Sequence, residues 1–199
     1  MGFDHVIIEA APSGTDNWTT LPDANGGTST DPPTQCEDEF LLDMHPFLEH
    51  YLTLAQPLCQ TSGTTGQWNS FTGDSGGWTQ VRADLSAYAG GSVDLKISYV
   101  TDPGSGGIGV FVDDTRITTT GGVLSADGFE TDPSLWTVEG APPGSAPTAA
   151  EFVISTTLVE VSAGVTTTDT VLLGFGIEQL ATPAEQADTL GRIMEYLLA

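Results

Sequence analysis

The sequence predicts a mainly β protein of the antiparallel β-sandwich class, and three observations carry that prediction. Val93, Leu95, Ile97 and Tyr99 alternate with polar residues, and Ile108, Val110 and Val112 do the same. That period of two puts one strand face on a core and the other in water. Glycine-rich turns, Ala89-Gly90-Gly91 and Pro103-Gly104-Ser105-Gly106-Gly107, separate the runs at the short range that antiparallel connections need.

Taken in order, residues 3–10 and Trp18–Leu21 read as a strand pair joined by the Pro12–Asn17 turn. A chain that opens inside a strand, with no leader pattern ahead of it, reads as a piece of a longer protein. Residues 22–66 form a long excursion rich in Gly, Pro, Thr and Asp, in which His45–Leu54 has the makings of a short helix. Three strand-length runs follow: Trp78–Leu85, Ser92–Val100 and Ile108–Ile117. Asp127–Trp136 reads as another strand entry, 140–148 as a Pro/Gly loop, and Phe152–Ser162 as one more strand.

The C-terminal stretch changes character. Thr170–Ile177, TVLLGFGI, is almost continuously apolar, as expected of a strand buried on both faces of a parallel sheet. Thr182 and Glu185 make a capping box with Pro183 at the first helical position. Ala187, Leu190, Met194 and Leu197 then give one apolar stripe. The predicted organisation is a sandwich domain over 1–160 and a strand–helix unit over 161–199.

Charge excludes several functions. Asp and Glu number 27 against 4 Lys and Arg, a formal charge of −23. Arg82, Lys96, Arg116 and Arg192 are the only fixed cations, so such a surface repels nucleic-acid phosphates and anionic lipid. An acidic secreted protein and a halophilic one both fit. No apolar run reaches the ~18 residues a membrane-spanning helix needs.

Cys36 and Cys59 flank the long polar loop, 23 positions apart, and neither belongs to a CxxC pair. A bridge between them would add about 3 kcal/mol on the loop-entropy model and would imply an oxidising compartment. Two free cytosolic thiols are the alternative.

These blocks also carry a family resemblance. GDSGGWTQVRADLSAYAGGSVDLKISYVTD and GIGVFVDDTRI resemble the MAM-like jelly-roll modules of secreted bacterial metallopeptidases, including the immune inhibitor A group. They are more similar still to the C-terminal half of actinobacterial-type zinc carboxypeptidases of the M14 class. DHVIIEA, DNWTTLPDANGGTS, HPFLEHY, CQTSGTTGQWN, GFETDPSLW, APPGSAP and DTVLLGFGIE follow in the same order, so the resemblance covers nearly the whole chain. QCEDEFLLDM, around Cys36, departs from the pattern. In that family the sandwich is inserted in a glutamine-amidotransferase-like α/β domain, and the resemblance implies that 161–199 is its last piece. It also implies that the catalytic zinc domain lies upstream, and that the other domains of the parent peptidase are the partners.

Zinc peptidase chemistry needs an HxxE pair and a distant third ligand around a hydrolytic water. His5, His45 and His50 occur without HxxE or HExxH, and no phosphate loop is present. No catalytic constellation is therefore predicted. The resemblance implies a structural calcium between Glu130 of the Phe129-Glu130 pair and Asp113-Asp114, with Asp84 as an outer candidate. Clustered carboxylates repel unless a cation or proton sits between them. The competing reading has Asp113 and Asp114 on opposite faces, one solvated and one bonded to turn amides. Trp68, Trp78 and Trp136 are the aromatic candidates for stacking on a sugar, against a competing role as core or edge plugs. Three functions result: an accessory or bracing domain of a secreted zinc carboxypeptidase-like enzyme, a carbohydrate- or matrix-binding module, and a self-associating extracellular structural protein.

Overall fold

The computed structural model describes residues 4–36, 40–55, 58–102, 109–130, 134–145, 154, 164–167 and 170–173. They are mainly β, in antiparallel sheets with very little helix, consistent with the β-sandwich class. The chain divides into two compact units, Met1–Val110 with Glu139–Glu151 and Phe111–Val138 with Phe152–Ala199. No described helix is long and apolar enough to cross a membrane.

The first unit is organised by strand β1 (His5–Pro12), which buries His5, Ile7, Glu9 and Ala11 on alternate positions. It is the middle strand of a three-stranded antiparallel sheet, between β2 (Thr19–Thr20) and a long neighbour at Val93–Val100. The first strand pair is therefore as the sequence predicted. The long excursion contains a 3-10 turn at Thr34–Cys36, a short helix α1 (Phe40–Met44) and a second 3-10 turn at Pro46–His50. A small hairpin of β3 (Thr53–Ala55) and β4 (Leu58–Gln60) follows it. The helix expected over His45–Leu54 is thus limited to one 3-10 segment. Pro46 fits its start, and Thr53 and Leu54 leave to pair with Gln60 and Cys59.

Ile7, Leu41, Leu48, Tyr51, Leu52, Trp68 and Val100 close the core of this unit around Cys36 and Cys59. Each large apolar side chain buried there contributes about 1.5–3 kcal/mol. The cysteines are joined in a disulfide, with Cα atoms 5.7 Å apart, so the loop between them is tied to the core at both ends. Two glycines let a neighbouring loop lie flat against this core. A Cβ on Gly63 would fall 2.3 Å from the His50 carbonyl carbon, and one on Gly66 would fall 2.5 Å from Thr19 Cα.

After the core, the Trp78–Leu85 run expected to be a strand is irregular and largely exposed. Gly76 and Gly77 turn the chain at φ 68° and 131°, and the Arg82 backbone is taken by a loop rather than a ladder. Ser86–Tyr88 makes a 3-10 turn, and β5 (Val93–Val100) then pairs along all of β1, from Pro12↔Val93 to His5↔Val100.

The second unit contains a hairpin of β6 (Thr115–Thr119) and β7 (Gly122–Asp127), with a bulge between Ile117 and Thr118. Ile108 lies outside the described residues, and from Gly109 onward the strand expected to Ile117 begins only at Thr115, because Gly109 at φ 92° and Asp114 at φ 50° break the extended backbone. Asp127 ends β7 instead of opening a strand toward Trp136. A second hairpin joins β8 (Gly164–Thr167) to β9 (Thr170–Leu173). Thr170–Leu173, the described part of the apolar run, accordingly pairs antiparallel with β8 and not with the parallel neighbour expected, since two intervening residues are too few for a parallel crossover. The Pro103–Gly107 turn, Phe152–Ser162 apart from Ile154, residues 174–177 and the capped 182–197 stripe lie outside the described residues.

Candidate functional site

Three polar constellations stand out. The first lies within the β1–β5 sheet. Glu9 is fully buried, and Lys96 faces it directly across the ladder. The Tyr51 hydroxyl donates to Glu9 Oε1, Ser98 Oγ donates to Oε2, and Lys96 Nζ stands 3.5 Å from Oε1. The same ammonium sits 3.7 Å from the centre of the Trp18 ring. Burial, and then the adjacent Glu9 carboxylate, hold the Tyr51 phenol far above its ordinary pKa, so it remains a donor at any physiological pH. Both carboxylate oxygens are therefore engaged inside the fold, which suits bracing better than chemistry on a substrate.

The second is the loop at Asp23, a residue only 8% exposed. Its Oδ1 accepts from the backbone N–H groups of Asn25 at 3.1 Å and Arg82 at 2.9 Å, and its Oδ2 from Gly27 N–H at 3.0 Å. Ala24 N–H donates to Arg82 O at 2.7 Å, and Asn25 Nδ2 donates to Gln80 O at 2.9 Å. Desolvation opposes ionisation here, but the three amide donors outweigh it and hold the carboxyl below its ordinary pKa. The result is a clasp between the 22–29 loop and the otherwise irregular 78–85 segment.

The third is the bend after β7. Asp127 Oδ1 accepts from Phe129 N–H at 2.8 Å, and Oδ2 from Ser134 Oγ at 2.7 Å and Leu135 N–H at 2.6 Å. The Ser134 hydroxyl first, and then the two amides, keep this carboxyl below its usual range. Trp136 Nε1 donates to Thr115 Oγ1 at 2.9 Å, pinning the bend to the hairpin.

The residues singled out from sequence are distributed around these features. Asp114 and Glu130 both border Gly128, where a Cβ would meet Asp114 Oδ1 at 3.4 Å and Glu130 Cγ at 3.9 Å. Asp113 Oδ1 accepts from Asp114 N–H at 2.7 Å, the turn-amide bond of the competing reading. Asp84, in the first unit, accepts from Ser86 N–H at 2.8 Å and Ser86 Oγ at 3.0 Å, which hold its carboxyl below its usual range. Among the described residues, no three His, Cys, Asp or Glu side chains gather as a metal site would require. Asp114 and Glu130 thus supply at most a fraction of the ~6–8 oxygens that calcium takes.

The aromatic candidates differ sharply. Trp68 is fully buried, with its ring edge-on to His5 and its Nε1 donating to Asp31 O, so no face is open to a ligand. Trp136 is half-buried on its Thr115 bond. Trp78 alone of the three is widely open, at 70% exposure. Each histidine has a partner inside the fold. His5 Nδ1 meets Ser70 Oγ, His45 Nε2 donates to Thr101 O, and His50 Nδ1 meets Thr65 Oγ1. An open cleft of about 340 Å³ lies along Leu42, Asp43, Glu49, Leu52, Thr53, Leu54 and Thr64.

Sequence reasoning missed Glu9, Asp23 and Asp127. A lone acid within the apolar HVIIEAAP strand marks Glu9, and the Asp-Ala-Asn-Gly-Gly run has the form of an Asx turn.

Residues 53–143 match the family described as Immune inhibitor A-like, MAM domain. The chain is also 32% identical over 90 residues to the Pre-pro-metalloprotease PrtV of Vibrio cholerae serotype O1, in strains M66-2 and ATCC 39315 / El Tor Inaba N16961. That alignment spans 45% of this chain and 9% of each relative. No solved structure matches the chain at a significant level.

Proposed function

We infer that the chain is a non-catalytic accessory domain of a secreted metallopeptidase, bracing or positioning the other domains of its parent. The observation that carries this reading is the match of residues 53–143 to an immune inhibitor A-like MAM domain, joined to the likeness to a pre-pro-metalloprotease. The buried disulfide supports export, since such bridges persist in oxidising compartments. The commitment of all three histidines to partners within the fold supports a bracing role. A parent of the M14 zinc carboxypeptidase class, with 161–199 as the last piece of an α/β domain, is the finer reading and rests on the residue blocks alone. The purified chain should release no C-terminal residues from peptides with or without zinc. Zinc-dependent release by the chain alone would overturn the proposal.

Calcium belongs to the same reading as a structural ion near Asp114 and Glu130, and the approach of Asp114 Oδ1 and of the Glu130 Cγ methylene to Gly128 supports it. The melting temperature should be higher in calcium than in chelator, and Glu130→Ala should erase the difference. Identical curves would reject the ion.

A second reading, a glycan-binding module, is favoured by the openness of Trp78. Retention on insoluble polysaccharide that disappears in Trp78→Ala would support it, and retention indifferent to that change would reject it.

A further inference from the structure

The Asp23 clasp encloses an Asn-Gly dipeptide, Asn25-Gly26, in a loop whose flanking residues are exposed. Asn-Gly is chemically labile because glycine has no Cβ to hinder its backbone nitrogen from reaching the preceding side chain. In the reaction, the Gly26 nitrogen attacks Asn25 Cγ and gives its proton to solvent base. The Cγ–Nδ2 bond breaks as Nδ2 takes up a proton from solvent, ammonia leaves, and a five-membered succinimide remains. Water then opens the ring at either carbonyl, giving Asp or isoaspartate at position 25.

The fold withholds both reacting groups. The Gly26 N–H donates to Asp23 O at 2.9 Å, and the Asn25 side-chain amide is held on Gln80 O at 2.9 Å. The nucleophile is turned toward one carbonyl while the electrophile is tethered to another. The bonds of Asn25 and Gly27 N–H to the Asp23 carboxylate fix the turn between them. Gly27 is sterically bound to the same arrangement, since a Cβ there would lie 2.8 Å from Asp23 Oδ2 and 3.0 Å from the Phe71 ring.

We propose that Asn25 is a fold-gated deamidation site, protected while the Asp23 clasp is closed and converted when the clasp opens. Conversion then prevents re-closure. A carboxylate at 25 has no proton to offer Gln80 O, and it brings a second negative charge beside Asp23. Isoaspartate in addition lengthens the backbone inside a turn that three amide bonds define. The modification therefore acts as a one-way record of clasp opening, and it frees the 78–85 segment.

The test uses the full chain at mildly alkaline pH, folded and in urea, followed by peptide mapping and enzymatic isoaspartate detection. Conversion at Asn25 should be at least about tenfold slower in the folded chain, as expected when reaction requires local opening. Asn25→Gln should remove the signal in urea. Asp23→Asn should raise the folded-state rate, with near-ultraviolet circular dichroism confirming that this variant is folded. If the variant unfolds, amide exchange in the unaltered chain decides: Gly26 and Gly27 N–H groups should be protected. Equal conversion rates in buffer and urea, conversion concentrated at Asn17 or Asn69, or unprotected Gly26 and Gly27 would each overturn the proposal.

Discussion

Both compact units contain antiparallel β-pairs, yet among the described residues only one encloses a core. Every fully buried side chain among the described residues belongs to Met1–Val110, including Trp68, Tyr51, Leu48 and Ile7. Among the described residues from Phe111 to Val138 none is buried, and Val123 and Leu124 are 58% and 72% exposed. Since neighbouring strand residues point to opposite faces, the β7 ribbon is wet on both sides where these two stand. Pairing into a ribbon thus does not decide what covers its faces. The first unit gains its cover from long-range ties: a disulfide, a buried carboxylate bonded across three segments, and a loop clasped by Asp23.

The sharpest test of this contrast is Trp68→Ala against Trp136→Ala. Removing the buried indole should cost about 3–5 kcal/mol in denaturant unfolding. Removing the half-buried one should cost about 1 kcal/mol, the value of one hydrogen bond and modest contact. Equal losses would break the comparison. Next in size, replacing both Cys36 and Cys59 by Ser should cost about 3 kcal/mol. Hydrogen exchange should show the loss in the β1–β5 sheet and not in the β6–β7 hairpin.

Glu9→Gln should cost about 2 kcal/mol, because a charge-assisted buried bond is exchanged for a neutral one beside Lys96. A variant as stable as the original would show that the Glu9 cluster contributes specificity rather than stability. Acid should touch both units. Ser13 Oγ and then Gly14 N–H hold Asp94 below its ordinary pKa, as Ser134 and the amides of Phe129 and Leu135 hold Asp127. A depressed folded pKa gives stability that is present above the unfolded value near ~3.9 and is lost as pH falls through the folded one. Melting temperature should therefore be flat near neutrality and fall below about pH 4. The smallest effect should come from Leu124→Ser, within about 0.5 kcal/mol, since no buried contact is removed. A large loss would mean that this residue is covered after all.

The sequence was most legible where the chain supplies its own partner. Val93–Val100 and the first strand pair were readable because alternation, turn residues and strand length agree. Trp78–Leu85 failed because a distant carboxylate, Asp23, takes the Arg82 amide that a ladder would need. Ile108–Ile117 failed at Asp114, whose left-handed backbone no hydrophobic pattern reveals. Among candidate site residues, the cysteine pair was readable from isolation and spacing. Tryptophan roles were not, because identical side chains serve as core at Trp68, pin at Trp136 and open surface at Trp78.

The flat seating of Gly63 and Gly66 carries a consequence for natural variation. Neither has a left-handed backbone requirement, so what forbids a larger residue is contact with the main chain of His50 and Thr19. In a saturation scan these two positions should reject even alanine, while Thr64 between them, exposed to water, accepts many replacements. Drift in this stretch is therefore confined to its outer rim, and the spacing of its two glycines should outlast most of its letters.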